Sequence, residues 1–553
     1  MRFSCDLPHT VRQARVLPCA PKAGSEPFTA PRDTPASPSR ERVAPQAAIS
    51  CRRSLEARHM RQRNLSPSLL AARRIAPLVG ALWLMHGLSA CMLASDKVEL
   101  GVPIIGSYQL AHGNPDAALP KLDWWRGFHS AELTTLMEQA QVGNFDIAAA
   151  VARIMQADAQ ARITGAALLP TVNLDGSAQH SRSSTNTGSG GSGVSGASGG
   201  GSPERNLFST TLNASYEIDF WGKNRAALLA AEQTAVASRY DREVVALTTL
   251  VSVANAYFQI LASQDRLRIA RDNVAAATRI LDLVRQRLDA GTASSLDVAQ
   301  QESLVATQRA AVPPLEITLR QNIATLAVLV GQTPEAFTVR GGSMRRLAIP
   351  RVTPGIPSDL LRRRPDFREA EAQLAAATAN IANARAQFFP SISLTSASGF
   401  QSAALRTLFA SGSWQYALAA NLAQPIFHGG QLVGQLEQTR GRQDELLQTY
   451  RRVVINGFAD VERALVDVQQ QSLRERLQTE VLRTSRQAFE ISETRLREGT
   501  IDLITVINTQ QTLFQADDTL AQVRLARLLA VVSLFQALGG GWPPLDGDKP
   551  RDS

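Results

Sequence analysis

The sequence predicts an α+β membrane protein built from one unit used twice. Three observations predict it. Paired marks recur at a fixed spacing, four segments alternate apolar and polar residues with period two, and two spans, Arg225–Ala290 and Gln431–Glu498, read as single very long helices. Each unit runs helix, strand, loop, strand, long helix, turn, helix.

Residues 1–59 are rich in Arg, Pro and Ser and show no periodicity. They read either as an over-long start, with Met60 opening the translated chain, or as a disordered extension. Residues 60–90 carry Arg61, Arg63, Arg73 and Arg74 before the apolar run from Ile75 to Ala90, the order of a secretory signal. Leu88-Ser89-Ala90-Cys91 resembles a bacterial lipobox, which makes Cys91 the expected lipidation site, and Met92 in place of Asp points to the outer membrane. The net charge of +9 belongs to this leader: residues 1–90 hold 14 of the 58 basic and 5 of the 49 acidic residues, leaving 44 of each beyond. A neutral mature chain has no electrostatic footprint for nucleic acid. Of the four cysteines, Cys5, Cys19 and Cys51 precede the cut, so the mature chain has no second thiol for an internal disulfide.

Residues 91–129 form the expected lipid-anchored segment. Beyond them, Asn144–Arg153 leading to Leu168-Leu169-Pro170 matches Arg364–Gln373 leading to Phe388-Phe389-Pro390 at an offset of 220. Arg287 to Val298 matches Arg495 to Val506 at an offset of 208. The drop between offsets places extra length in the first copy, at the Gly/Ser-rich tract Ser181–Ser202, expected to be a flexible extracellular loop. Its GxGxxG at Gly188–Gly193 lacks a strand–turn–helix setting and carries no nucleotide reading. The first repeat is assigned to 130–340, the second to 341–542 and a tail to 543–553.

The predicted strands are about 171–181, 207–221, 391–400 and 414–427. Val172, Leu174, Gly176 and Ala178 oppose Asn173, Asp175, Ser177 and Gln179, and the other three segments alternate likewise. Phe388, Phe389, Phe400, Trp414, Trp221 and Phe427 lie near the ends, as interfacial girdles do. This is the pattern of an outer-membrane barrel, apolar to lipid and polar to lumen. A soluble two-layer sheet would alternate too; the lipobox favours the barrel. Four strands leave edges that lipid cannot satisfy. Two copies would give eight strands around a filled interior, and three would give a 12-stranded barrel with a lumen.

Val253, Ile260, Leu267, Val274, Leu281 and Leu288 recur every seven residues, with Ala256, Ser263, Ala270, Ala277 and Val284 on the second seam. This is a coiled-coil pattern, about 100 Å long at 1.5 Å per residue. Gly291 and Gly499 are the expected helix stops before tight turns back. Each strand pair crosses and returns, so all helices lie on one side, the periplasmic side if Cys91 is acylated, with the two turns at the far tip. No uninterrupted run of 18 apolar residues follows Cys91, so no transmembrane helix is expected. The seven His offer no metal-ligand spacing, and His428 reads as structural.

The chain from Cys91 to Trp542 resembles the TolC-type outer-membrane efflux factors, particularly their lipidated OprM/NodT-like branch. The matching marks are Trp124-Trp125, the paired Leu-Leu-Pro170 and Phe-Phe-Pro390, Tyr216 to Gly222, Gln424 to Gly430, the paired Gly-Thr turns and the ending Gln536 to Trp542. The resemblance implies a homotrimer with a periplasmic helical tunnel. It implies a periplasmic adaptor and an inner-membrane pump, usually of the resistance-nodulation-division class, as partners, with solutes moved without enzymatic chemistry and without a cofactor. It makes the tips the expected docking surface: Gly291, Thr292, Leu296, Asp297, Val298, Gly499, Thr500, Ile504 and Val506. Many family members carry acidic residues lining the closed aperture where this chain has Thr505 and Asn508, and Asp297 holds the corresponding place in the first copy, so the candidate gate is Asp297, Thr505 and Asn508. The alternative within the duct class is a type I protein-secretion duct; outside it, a non-transporting coiled coil with a sheet cap.

Overall fold

A computed structural model describes residues 99–101, 123–182, 204–350, 352 and 357–540. All belong to one unit, Pro77–Ser553. Cys91, the leader, most of the Gly/Ser tract, Trp542 and the tail lie outside the described residues. After a short 3-10 turn at Trp124–Phe128, the first half runs α1 (Ala131–Gly143), α2 (Phe145–Gly165), β1 (Thr171–Arg182), β2 (Glu204–Ile218), α3 (Lys223–Asp289), α4 (Ser295–Ala310) and α5 (Val312–Leu329). The second runs α6 (Pro357–Arg363), α7 (Pro365–Ala386), β3 (Ser391–Ser402), β4 (Trp414–Ala423), α8 (Gln431–Arg497) and α9 (Leu503–Ala537).

The long helices α3 and α8 are 67 residues each. Of the heptad positions in α3, Val253, Ile260, Leu267 and Leu281 are buried, as are Ala256, Ser263, Ala270, Ala277 and Val284; Val274 is half-buried and Leu288, next to the tip, is exposed. The small seam residues let helices approach closely, which is what a seam of this kind is for. In the second half the returning arm is the single 35-residue helix α9. In the first, the same arm is interrupted at Ala311, just before Pro313 and Pro314. Proline lacks the N–H that would continue the ladder and its ring crowds the preceding turn.

The main core lies where α1, α3, α5 and α9 meet. Trp124 stacks on Phe535 at 4.9 Å, and Phe128, Phe258, Leu133 and Met137 are fully buried around them. Asp265 accepts from Ser343 Oγ and Met344 N, and Glu132 accepts from the backbone of Arg340 and Gly341, so the link between the two halves is strapped onto this core. Helices α3 and α9 are long and apolar enough by length and composition to cross a membrane, but 56% of each apolar window is buried within the protein. The apolar residues face this core, which accounts for their composition.

Both arms end alike. Gly331 and Gly539 have φ of +74° and +86°. A Cβ on Gly331 would meet Gly143 O at 2.1 Å and one on Gly539 would meet Arg363 O at 2.8 Å. Backbone therefore packs on backbone at both places, and only glycine fits.

Candidate functional site: the sheet face and the helical tips

The four strands form one antiparallel sheet in the order β1-β2-β3-β4, with β1 and β4 as open edges. Registers Leu174↔Leu212, Tyr216↔Leu394 and Ser396↔Leu418 keep the apolar alternation on a single face across all strands. That face is bare: Leu174 is 70% exposed and Leu418 74%, and Val172, Tyr216's neighbour Leu394, Trp414, Tyr416 and Leu422 are exposed with them. The opposite face carries Asn213 donating to Asp175 Oδ2 at 2.6 Å and the Ser177–Ser209 hydroxyl pair at 2.8 Å. A contiguous bare apolar face marks an interaction surface, and backed by a polar face on strands of 10 to 15 residues it suits lipid on one side and water on the other.

The strand ends depart from the sequence expectation. β2 ends at Ile218 rather than 221, because Asp219 turns the chain: its carboxylate accepts from the backbone N–H of Asn224 and Arg225 and starts α3. β4 ends at Ala423 rather than 427, since Pro425 has no N–H to give the ladder. β1 runs on to Arg182, one residue past its expected end and into the tract assigned to the loop. Trp221 stacks on Phe389 at 4.7 Å and donates to Pro390 O, while Trp414 and Tyr416 lie at the other end. Phe427 is exposed beyond the sheet. His428 lines a cavity of about 370 Å³ between strand ends and helix starts, with Glu217, Asp219 and Lys223.

The two tips are built alike. Gly291 and Gly499 have φ of +72° and +74°. Thr292 N donates to Arg287 O and Gly291 N to Leu288 O; Thr500 N donates to Arg495 O and Gly499 N to Leu496 O. Each threonine hydroxyl bonds the same arginine carbonyl. This is the Schellman closure of a helix C-terminus, for which φ > 0 is needed. Nothing lies within 4 Å of a Cβ on Gly291, so its glycine is required by backbone conformation and not by space.

Of the apolar tip residues, Leu296 and Ile504 stand out into solvent at 64% and 46% exposure. Val506 is fully buried and offers no contact to a partner, and Val298 is half-buried against the coiled-coil core. They face inward because each hairpin must bury one stripe of its returning helix. The proposed gate residues are also divided. Asp297 closes a capping box with Ser294: its carboxylate accepts from Ser294 N at 2.8 Å, and Ser294 Oγ accepts from Asp297 N at 3.2 Å. At the matching turn the acid and hydroxyl trade places, Thr505 bonding the carboxylate of Asp502. Thr505 and Asn508 come together in a groove of about 410 Å³ lined also by Thr484, Ser485, Thr509 and Thr512; Asp297 lies apart from it. The Ser-x-x-Asp spacing was a sequence signal for the cap.

One contact at the tip had no sequence expectation. Arg287 Nη1 donates to Leu496 O at 2.7 Å, tying the end of α3 to the end of α8. Further up, Arg266 grips Asp518 of α9 with two bonds of 2.6 and 3.1 Å. Among the described residues no group of three or more His, Cys, Asp or Glu is placed to hold a metal ion.

Residues 136–332 and 356–540 match the family model "Outer membrane efflux protein". The chain is 41% identical over 456 residues to the pyoverdine export outer membrane protein OpmQ of Pseudomonas aeruginosa, covering 82% of this chain and 95% of that one. It is 31% identical to the toluene efflux pump outer membrane protein TtgC of Pseudomonas putida, covering 82% and 93%. The solved outer-membrane channel OprN superposes with a TM-score of 0.75 at 26% identity, covering 81% of this chain and 99% of that one. On these likenesses the chain belongs to the outer membrane efflux protein family, as the outer-membrane exit duct of an efflux system.

Proposed function

We propose that the working form is a homotrimer whose three four-stranded sheets close a twelve-stranded barrel, with the helices forming a tunnel on its periplasmic side. The observation that carries this is the open-edged sheet with its bare apolar face. A lone sheet cannot sit in lipid, because the edge groups of β1 and β4 would go unsatisfied. Closed cyclic symmetry pairs β4 of one copy with β1 of the next and removes every edge.

The duct serves a tripartite system: a periplasmic adaptor engages the tips around Gly291 and Gly499, and an inner-membrane pump, of the resistance-nodulation-division class, loads it. Cys91 carries the lipid that anchors the chain beside the barrel. The relatives named for pyoverdine export and toluene efflux support small organic solutes as cargo. The duct works without chemistry; Thr505 and Asn508 are offered as uncharged lining of its periplasmic entrance.

The test is the mass of the detergent-solubilised particle by light scattering, followed by single-channel recording in a planar bilayer. A trimer that conducts is expected. A monomer or dimer, or a trimer with no conductance in any state, would overturn the reading.

A further inference from the structure

The two tips are closed alike but supported differently. Leu496 O accepts from Gly499 N at 3.0 Å, from Glu498 N and also from the Arg287 guanidinium. Leu288 O, 208 positions earlier, accepts from Gly291 N at 2.9 Å and from Ala290 N, but from no side chain among the described residues. Leu496 is 2% exposed and Leu288 is 37% exposed. Arg287 Nη2 stands 3.9 Å from a Cβ on Gly499, whereas the space around Gly291 is empty to 4 Å.

The donor that would complete the first tip is on the chain. Arg495 stands 208 positions after Arg287, is exposed, and its side chain has no partner among the described residues. Arg287 and Leu496 O thus form a pair, and Arg495 and Leu288 O are the matching groups, neither with a side-chain partner among the described residues. Arg287 reaches from the first repeat to the second; in a cyclic assembly the same step taken from the second repeat leads to the first repeat of a neighbouring copy.

We propose that Arg495 donates to the Leu288 carbonyl of the neighbouring copy, so that the tips form a ring of six like guanidinium–carbonyl contacts, three within chains and three between them. The proposal rests on the trimeric reading above. The chemistry suits the partner. A carbonyl at a helix C-terminus carries the negative end of the helix dipole. Arginine keeps its charge and offers several donors in a fixed plane, so it can serve a carbonyl already bonded by backbone N–H groups. The neighbour would also cover Leu288, as Leu496 is covered within the chain.

Cysteine pairs read this directly, because the mature chain carries a single cysteine, Cys91, at its lipidation position. In membranes bearing Leu288→Cys with Arg495→Cys, a short bismaleimide is expected to give covalent dimers and trimers; either single variant is expected to stay monomeric on a denaturing gel. Both positions are exposed, so neither change threatens folding. Arg495→Ala is expected to lower the temperature at which the purified trimer dissociates, and Arg287→Ala, whose bond lies within one chain, to lower it less. A particle shown to be trimeric by light scattering, in which the 288/495 pair gives no interchain product, would overturn the contact and leave the trimer standing. A particle that is not trimeric would overturn both.

Discussion

Asn144 and Arg364 hold equivalent places in the two halves and reach equivalent carbonyls with unlike side chains. Asn144 Nδ2 donates to Leu329 O at 2.8 Å, and Arg364 Nη1 donates to Ala537 O at 3.2 Å; 144 and 364 differ by 220, and 329 and 537 by 208. Both residues are N-caps, of α2 and α7, so each start of a short helix is pinned to the end of a returning arm. Asn144 also caps its own helix through Asp146 N and Ile147 N, while Arg364 instead grips Asp366 with two bonds and lies over the Phe367 ring at 4.9 Å. Asn144→Ala is expected to cost about 1–2 kcal/mol. Arg364→Ala is expected to cost about 2–3 kcal/mol through its charge-assisted bonds. Arg364→Asn is expected to recover part of the loss, because asparagine spans the same gap in the first half. Thermal melting of the purified protein by circular dichroism would check the order.

At the tips, the exposed pair Leu296 and Ile504 is separable from the buried Val506. Leu296→Asp with Ile504→Asp is expected to abolish export of a pump substrate while the trimer still reaches the outer membrane. Val506→Asp is expected to reduce the amount of folded protein, since it buries an unpaired carboxylate. Gly499→Ala is expected to cost about 1 kcal/mol for its φ of +74°, and Gly499→Trp to block export by bulk as well. Drug-resistance assays beside outer-membrane trimer levels separate these outcomes. Normal resistance in the Leu296/Ile504 double variant would remove the tips from docking.

Glu369 on α7 is pushed up to about 7 by burial first and then by the nearby Asp241 and Asp366. Its folded value lies above its unfolded value, so the folded chain holds this proton more tightly. Stability therefore falls as pH rises from the ordinary glutamate range through about 7. Glu369→Gln is expected to raise the melting temperature at pH 8 and leave it nearly unchanged at pH 4. Equal shifts at both pH values would show that the carboxylate's charge is not the cause.

The lipid proposed for Cys91 is expected to be dispensable for insertion. One acyl chain gives only marginal membrane affinity, far less than the bare face of four strands. Cys91→Ser, with a signal that is still cleaved, is expected to fractionate with the outer membrane and retain most export. A soluble periplasmic product would reverse this order of importance.

The faces of all four strands were legible because period two leaves only one way to hide or show a side. Their ends were less so. β2 stops where Asp219 finds two N–H partners, a turn that alternation does not register, although Pro425 was a readable stop for β4. The glycine turns were legible because few residues other than glycine adopt φ near +70°. Which tip side chains point outward was not, since Leu296 and Val298 differ only in how each hairpin lies against its neighbours. The roles of Arg287 and Asn144 depend on carbonyls more than 180 positions away, and no local pattern announces such partners. The pair Pro313-Pro314 was readable as a breaker, and it is where the first arm divides.

That division has a mechanical meaning. The second returning arm is one strut of 35 residues with its hydrogen-bond ladder intact, running from the tip to the aromatic shell around Trp124. The first is jointed, because two successive prolines delete the bonds that would resist bending at Ala311. A load applied to the second tip is carried stiffly to the core, and the same load on the first is absorbed partway. In the proposed trimer, six tips of like shape would then divide into three stiff and three yielding, and a docked partner would feel a threefold spring under a surface of sixfold outline.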